Sequence, residues 1–258
     1  MGVGCVGCRE DVALPFEFKM GFQPIVDLRT QLVWGYEALV RGPNGEPALS
    51  VLSQVSDDTR YRFDQAARVT AIETAGALFK GQDLKLSINF MPNAVYEPTA
   101  CIQKSLAAAK RVQFPRTNLI FEFTENERVA DTAHLQGIIE TYRKFGFRTT
   151  IDDFGAGYSG LSLLARLQPD LVKIDMELVR DIHLDERKQV IVAGVVHIAR
   201  GLNIEVIAEG VENEMELTVL RSAGIWMFQG YYFAKPAFMG LPEVPMLRQS
   251  SAIRSTAS

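Results

Sequence analysis

No apolar stretch in this 258-residue chain approaches the ~20 residues of a membrane-spanning helix, so no membrane span is expected. Cysteine is scarce. Cys5, Cys8 and Cys101 make an odd set that builds no disulfide framework and fits a reducing cytosol. Cys5-x-x-Cys8 would be half of a zinc site, but no second Cys/His pair stands at a suitable spacing. Histidine is equally rare: His134, His183 and His197 fall in or beside predicted helices and read as structural or surface residues. The first strand is not followed by Gly-x-Gly-x-x-Gly, which weakens a dinucleotide fold of the Rossmann type. Surplus positive charge is lacking too. A net charge of −4 argues against a DNA-coating protein but leaves room for a small anion held through metal ions. Arg9, Glu10 and Asp11 interrupt the N-terminus too early for a signal peptide, and Val6 occupies the place where a myristoylation signal wants Ser or Thr. A cytoplasmic location is therefore expected.

What the chain does have is ample core material, 47% hydrophobic residues, and a regular alternation of strand and helix. Strands are predicted at Met20–Leu28, Leu32–Arg41, Leu84–Phe90, Leu119–Thr124, Arg148–Ile151, Leu171–Ile174, Ile204–Ala208 and Trp226–Phe228. Pro24 cannot donate to a central ladder, so the first strand should lie at an edge or end early. Helices are predicted at Tyr61–Phe79, Ser105–Val112, from an Asp131 N-cap to Phe145, and at Ser159–Leu167, Glu186–Arg200 and Glu212–Ala223. At this length a closed α/β barrel is favoured over an open doubly wound sheet. The expected organisation is a flexible segment over residues 1–17, a barrel over 18–240 and a tail over 241–258, disordered at its end.

Asn89, Glu122, Asp152, Lys173, Glu209 and Gln229 each fall at or near the C-terminal end of a predicted strand. In a barrel that end carries the active site. Glu37 joins them if its side chain points into the barrel mouth. Asp152 and Asp153 are adjacent like charges, which repel unless a cation lies between them. Neighbouring strand residues face opposite sides, so two acids serving one site belong where a strand breaks into a loop. Glu37, Asn89, Glu122, Asp152, Asp153 and Glu209 form a hard, oxygen-rich ligand set that suits Mg²⁺ or Mn²⁺. Two such ions about 3.5–4 Å apart, bridged by one aspartate, would use them all and point to phosphodiester hydrolysis.

These residues sit in an ordered set of motifs: Gln23-Pro24-Ile25-Val26, Glu37-Ala38-Leu39-Val40-Arg41, Glu122-Phe123-Thr124-Glu125, Asp152-Asp153-Phe154-Gly155-Ala156-Gly157-Tyr158-Ser159, Val172-Lys173-Ile174-Asp175, Ala208-Glu209-Gly210-Val211-Glu212 and Gln229-Gly230-Tyr231. The set closely resembles the EAL-domain family of cyclic di-GMP phosphodiesterases, from about Phe18 to Pro236. The resemblance implies a modified TIM (β/α)₈ barrel with one antiparallel strand. It implies that Glu37, Asn89, Glu122 and Asp152 hold one metal, that Asp152, Asp153 and Glu209 hold a second, and that Lys173 orients or deprotonates the attacking water. A pKa depressed by two nearby cations would suit Lys173 to that role. Gln229 would support the water or the metal shell. Gln23, Arg41, Asp64 and Tyr231 would contact the dinucleotide, Asp64 through a guanine edge. Glu125 would anchor the loop Phe154–Gly160, which resembles the mobile loop that couples dimerisation to activity in the family. The expected product is linear pGpG and the expected assembly a homodimer, with any regulatory protein partner left open. The segment after Arg41, Gly42-Pro43-Asn44-Gly45, departs from the usual pattern and matches the subgroup attached to blue-light sensors. Ala156 stands where the family usually has Thr.

Two other readings compete. A non-catalytic module would bind cyclic di-GMP or a protein without turnover, but degenerate members usually lose a ligand or the lysine, and this chain keeps them. A Mg²⁺ barrel enzyme abstracting a carbon-bound proton also uses a lysine beside carboxylates. Such enzymes carry a sizeable capping domain, for which the segment before the first strand leaves no room.

Overall fold

The computed structural model describes residues 13–124, 132–157 and 160–247. Nine strands are described: β1 (Lys19–Asp27), β2 (Leu32–Arg41), β3 (Lys85–Asn89), β4 (Leu119–Thr124), β5 (Arg148–Phe154), β6 (Leu171–Ile174), β7 (Glu205–Ala208), β8 (Met227–Phe228) and β9 (Ala237–Phe238). From β2 to β8 each strand pairs in parallel with the next. β1 inserts antiparallel between β8 and β2 and closes the ring. The fold is a TIM-like barrel with one reversed strand, and β9 is an extra ribbon on β1.

Helices clothe the outside: α1 (Ala48–Leu52), α2 (Asp57–Phe79), α3 (Pro98–Cys101), α4 (Gln103–Arg111), α5 (Thr132–Lys144), α6 (Gly160–Leu167), α7 (Met176–Val179), α8 (Glu186–Gly201) and α9 (Glu214–Ser222). α2 starts four residues before the apolar periodicity does, because Ser56 and Thr59 form a capping box ahead of it. Asp131, the expected cap of α5, lies outside the described residues. Cys101 is buried and forms no disulfide among the described residues. No helix among them is long and apolar enough to cross a membrane.

Two sequence expectations change here. β1 is not an edge strand and does not stop at Pro24. It runs on to Asp27 and pairs with β2 along its whole length. On its other side it meets β9 only at Gly21 and Phe22, and β8 only at Val26 and Asp27. Pro24 stands opposite that interruption, where a missing N–H is tolerated. The segment before the barrel is also less detached than expected. Leu14 and Phe16 pack on the core, with the Phe16 and Phe63 rings 6.1 Å apart. At the other end Val244 is buried.

Strand alternation divides the barrel interior into layers. Ile25, Ile120, Leu171, Ile207 and Met227 form a separate buried cluster that plugs the barrel. Two residues further toward the C-terminal ends of their strands, on the same inward face, come Glu122, Lys173, Glu209 and Gln229. The apolar plug is the floor of a polar cup.

Candidate active site

Lys173 is fully buried at the centre of that cup, on the four-residue strand β6. Its Nζ lies 2.6 Å from Glu209 Oε1, 3.0 Å from Glu122 Oε2, 3.1 Å from Asp152 Oδ1 and 3.2 Å from Glu37 Oε2. Burial alone would lower the ammonium's pKa, but Asp152, Glu122, Glu209 and Glu37 together outweigh it and push it well above its ordinary value. This is the opposite of the depressed pKa expected from nearby cations, and it reflects the carboxylates acting without them. The proton competition also shows on the acids. Burial, with Glu37 and Asp152 close by, raises Glu122 to about 8 even against Lys173. Burial and then Asp152 raise Glu209 well above the ordinary range. Burial, Asp152 and Asp175 raise Asp153 to about 6.

Each acid is held in place by its strand and its neighbours. Glu37, on the inward face of β2, accepts from Asn89 Nδ2 at 2.8 Å on one oxygen, and from Gln229 Nε2 at 2.7 Å and Lys173 on the other. Gln229 Nε2 also donates to Gln23 Oε1 at 3.2 Å, which links β8 to β1 across the reversed strand. Ser87, two residues before Asn89 on β3, donates from Oγ to Glu122 Oε1 and leaves Oε2 to face the cup. Sequence reading missed Ser87. Its signal was the inward parity it shares with Asn89 on a strand already assigned.

The adjacent aspartates share the site through a bulge. The β5–β6 register shifts between Ile151 and Phe154, and Asp153 takes a positive φ of 52°. The strand thus continues past Ile151, where it was expected to stop, and the bulge turns Asp153 to the same side as Asp152. Oxygens of Asp152, Asp153 and Glu209 lie within 4.8 Å of one another, as do those of Glu37, Glu122 and Asp152. Asp152 belongs to both groups.

Gln23, Glu37, Asp152, Asp153, Glu209, Gln229 and Tyr231 line one cavity of about 450 Å³. Asp175, Arg180 and Glu212 join its rim. Tyr231 is exposed there, with Lys235 Nζ 5.2 Å above its ring. Arg41 ends β2 outside this lining and folds back to donate to the Val40 carbonyl at 2.7 Å. Asp64 does not line this cavity but the neighbouring groove beside Leu39, Asn89 and Met91. It is buried, with Oδ2 2.5 Å from the equally buried Arg68 and Oδ1 accepting from the Met91 N–H at 2.9 Å. In this structure both of its oxygens are engaged, and it serves as the counter-ion of Arg68. Glu125, Tyr158 and Ser159 lie outside the described residues. The three histidines fall where expected. His134 Nε2 lies 2.6 Å from the Val95 carbonyl, His183 is in a helical turn at Ile182–Leu184 and His197 is on α8.

The donor set fits divalent cations. Five carboxylates face one ammonium, all donors but the lysine are oxygens or amides, and two buried oxygens, Asp152 Oδ1 and Gln229 Oε1, have no hydrogen-bond partner. Asp152 Oδ1 is near Lys173 Nζ but not aligned with it for a hydrogen bond. Orphaned buried oxygens of this kind await a cation or a bound water.

Comparison with known proteins adds an independent line. The family model for the EAL domain matches residues 12–236. Among curated proteins the chain is 34% identical over 223 residues to the blue light- and temperature-regulated antirepressor BluF of Escherichia coli, covering 86% of this chain and 55% of that protein. It is 35% identical over 161 residues to the cyclic di-GMP phosphodiesterase PdeR of the same organism, covering 61% and 24%. The chain thus spans at most about half the length of these two relatives. Among solved structures it is 54% identical to a standalone EAL protein of Vibrio cholerae O395 in its c-di-GMP-bound form, with a TM-score of 0.87, covering 92% of this chain and 99% of that one. It is 38% identical to Klebsiella pneumoniae BlrP1 in a manganese and cyclic di-GMP complex at pH 9.0, with a TM-score of 0.84, covering 90% and 59%.

Proposed function

Since this chain belongs to the EAL domain family, we propose that it is a phosphodiesterase that hydrolyses cyclic di-GMP to linear pGpG with the help of two divalent cations, Mg²⁺ or Mn²⁺. The observation that carries this reading is the pair of acidic trios that share Asp152 around one buried lysine. In support, the Vibrio cholerae relative is c-di-GMP-bound, the BlrP1 complex holds manganese together with cyclic di-GMP, and PdeR is named a cyclic di-GMP phosphodiesterase.

In this reading Glu37, Asn89, Glu122 and Asp152 hold one ion, and Asp152, Asp153 and Glu209 hold the other. Such cations, when bound, polarise phosphoryl oxygens and lower the pKa of a coordinated water. Lys173 Nζ lies among the trios, where it would orient the attacking water and, once bound cations take over its carboxylate partners and lower its pKa, accept that water's proton as the neutral amine. Gln229 fixes Glu37 through its amide N–H, and its Oε1 is left to accept from that water. Gln23, Arg41 and Tyr231 bind the dinucleotide. A mostly apolar groove of about 600 Å³ beside Asn89, lined by Leu39, Leu52, Phe63 and Met91, has the size and character for a purine base. Glu125 anchors the loop that leads from Phe154. The protein acts in the cytoplasm as a homodimer. Exposed Val190, Ile191 and Ile198 on α8, beside that loop, are the apolar surface such an assembly would cover.

The deciding experiment is hydrolysis of cyclic di-GMP with Mn²⁺ or Mg²⁺, followed by product separation. Linear pGpG should form with either metal and not with chelator. K173A and D152N should each lower kcat by at least about 10²-fold, the range for loss of a positioned acid–base or charge-stabilising group. A second reading is favoured by one relative: BluF is named an antirepressor. Tight cyclic di-GMP binding with no pGpG at any metal concentration would replace the enzyme with a non-catalytic nucleotide- or protein-binding module.

A further inference from the structure

Among the described residues lining the acidic cavity, Glu37, Asp152, Asp153, Asp175, Glu209 and Glu212 are acids and Arg180 is the one basic residue. Lys173 lies beneath them with its ammonium already ringed by carboxylates. Arg180 follows α7, and its backbone is tied down on three sides. Its N–H donates to the Met176 carbonyl at 2.8 Å, its own carbonyl accepts from Lys188 Nζ at 2.7 Å, and the next N–H, that of Asp181, donates to Glu216 Oε1 at 2.9 Å. Glu216 is buried, and its other oxygen accepts from the Glu212 N–H at 2.9 Å. One interior carboxylate thus locks the loop that carries Arg180 to the loop that carries Glu212.

The guanidinium itself is held loosely. It is 55% exposed, and its contact with Glu212, which is 47% exposed, is a long 3.4 Å. Exposed pairs of that kind contribute little. A fixed backbone under a loosely held guanidinium, at the mouth of a cavity lined with acids, is built to receive an incoming anion in fork geometry. A cyclic dinucleotide brings two phosphodiesters. Only one can lie over the trios that share Asp152, and the other would face bare carboxylates unless a cation met it.

We propose that Arg180 receives the second, non-reacting phosphodiester of the substrate and thereby selects a cyclic dinucleotide over a simple phosphodiester. Glu212 keeps the guanidinium over the mouth until that phosphate displaces it. This rests on the phosphodiesterase reading given above.

Steady-state kinetics of the full chain with Mn²⁺ test it, using cyclic di-GMP and bis(p-nitrophenyl) phosphate, which has a single phosphodiester. R180A should raise KM for cyclic di-GMP by at least about tenfold, as loss of a charge-assisted hydrogen-bonded pair does, while kcat stays within about twofold. Its kcat/KM on bis(p-nitrophenyl) phosphate should equal that of wild type. R180K should recover part of the loss, because lysine keeps the charge but not the fork. The salt dependence of KM should be shallower in R180A than in wild type. Equal losses on both substrates, or an unchanged KM for cyclic di-GMP beside active wild type, would overturn the assignment of Arg180 alone. Inactive wild type on both substrates would instead bring down the phosphodiesterase reading, and this proposal with it.

Discussion

At the scale of single residues, protons occupy the same oxygens that the proposed cations would need. Glu122 is raised from an ordinary 4.5 to about 8, and Asp153 from 3.8 to about 6. In the metal-free protein the folded state therefore holds protons that the unfolded chain releases. That stabilisation is complete below the ordinary carboxylate pKa and is lost as pH rises through the folded values. The metal-free melting temperature should fall between about pH 5 and pH 8.5, and E122Q should flatten the fall. Metal binding requires the same groups to be ionised, so apparent Mn²⁺ affinity should rise over that window. Scanning calorimetry and Mn²⁺ titration at stepped pH check both, and a metal-free melting temperature that climbed with pH would contradict the proton-holding cluster.

At the scale of elements, two local packings set the geometry of the cup. α2 brings Asp64 and Arg68 one turn apart, both fully buried, with Arg68 Nη1 donating to the Tyr142 hydroxyl at 2.9 Å on α5. D64A would leave a buried guanidinium without its counter-ion and should cost about 3–5 kcal/mol in urea denaturation. A guanine-reading Asp64 would instead show as a raised KM with unchanged stability. The second packing is at Gly230, just after Gln229. A Cβ there would lie 2.1 Å from the Val211 carbonyl oxygen. G230A must push the β8 loop away from the β7 loop and carry the Gln229–Glu37 hydrogen bond with it. Its kcat should drop by up to about 10²-fold, the scale for a misplacement near 1 Å, while Mn²⁺ still binds.

At the scale of the whole molecule, the barrel closes only because β1 runs against its neighbours. It then sets Gln23 and Glu37, cross-strand partners on β1 and β2, beside Gln229 from the far end of the chain. A ligand that bridges residues of five strands by way of Asp152 should report on that closure. Mn²⁺ at 100 times its dissociation constant adds about 2.7 kcal/mol of stability, or roughly 5–10 °C in melting temperature for a domain of this size. Chelator should remove the gain. D152A, which takes away the carboxylate common to both trios, should abolish it; a gain that survives D152A would locate the metal somewhere else.

Much of this molecule was legible in the chain because it depends on local chemistry. The alternation of strand and helix follows from short-range periodicity, and the hard character of the site follows from residue type: Glu37, Asn89, Glu122, Asp152 and Glu209 bring carboxylate and amide oxygens wherever they meet. The rest depended on groups distant in sequence. Asp153 shares the site only through a bulge in β5 measured against β6, and Ser87 braces Glu122 from a neighbouring strand. Asp64 is taken up by Arg68 and by the Met91 amide 27 residues away. Pro24 sits inside a closed ring because the β1 ladder is interrupted beside it. The charge state of Lys173 was decided the same way, since the four carboxylates around it come from four other strands or strand ends. The sequence could name each donor, but only the fold sets the distance between them, and electrostatic energy depends on that distance.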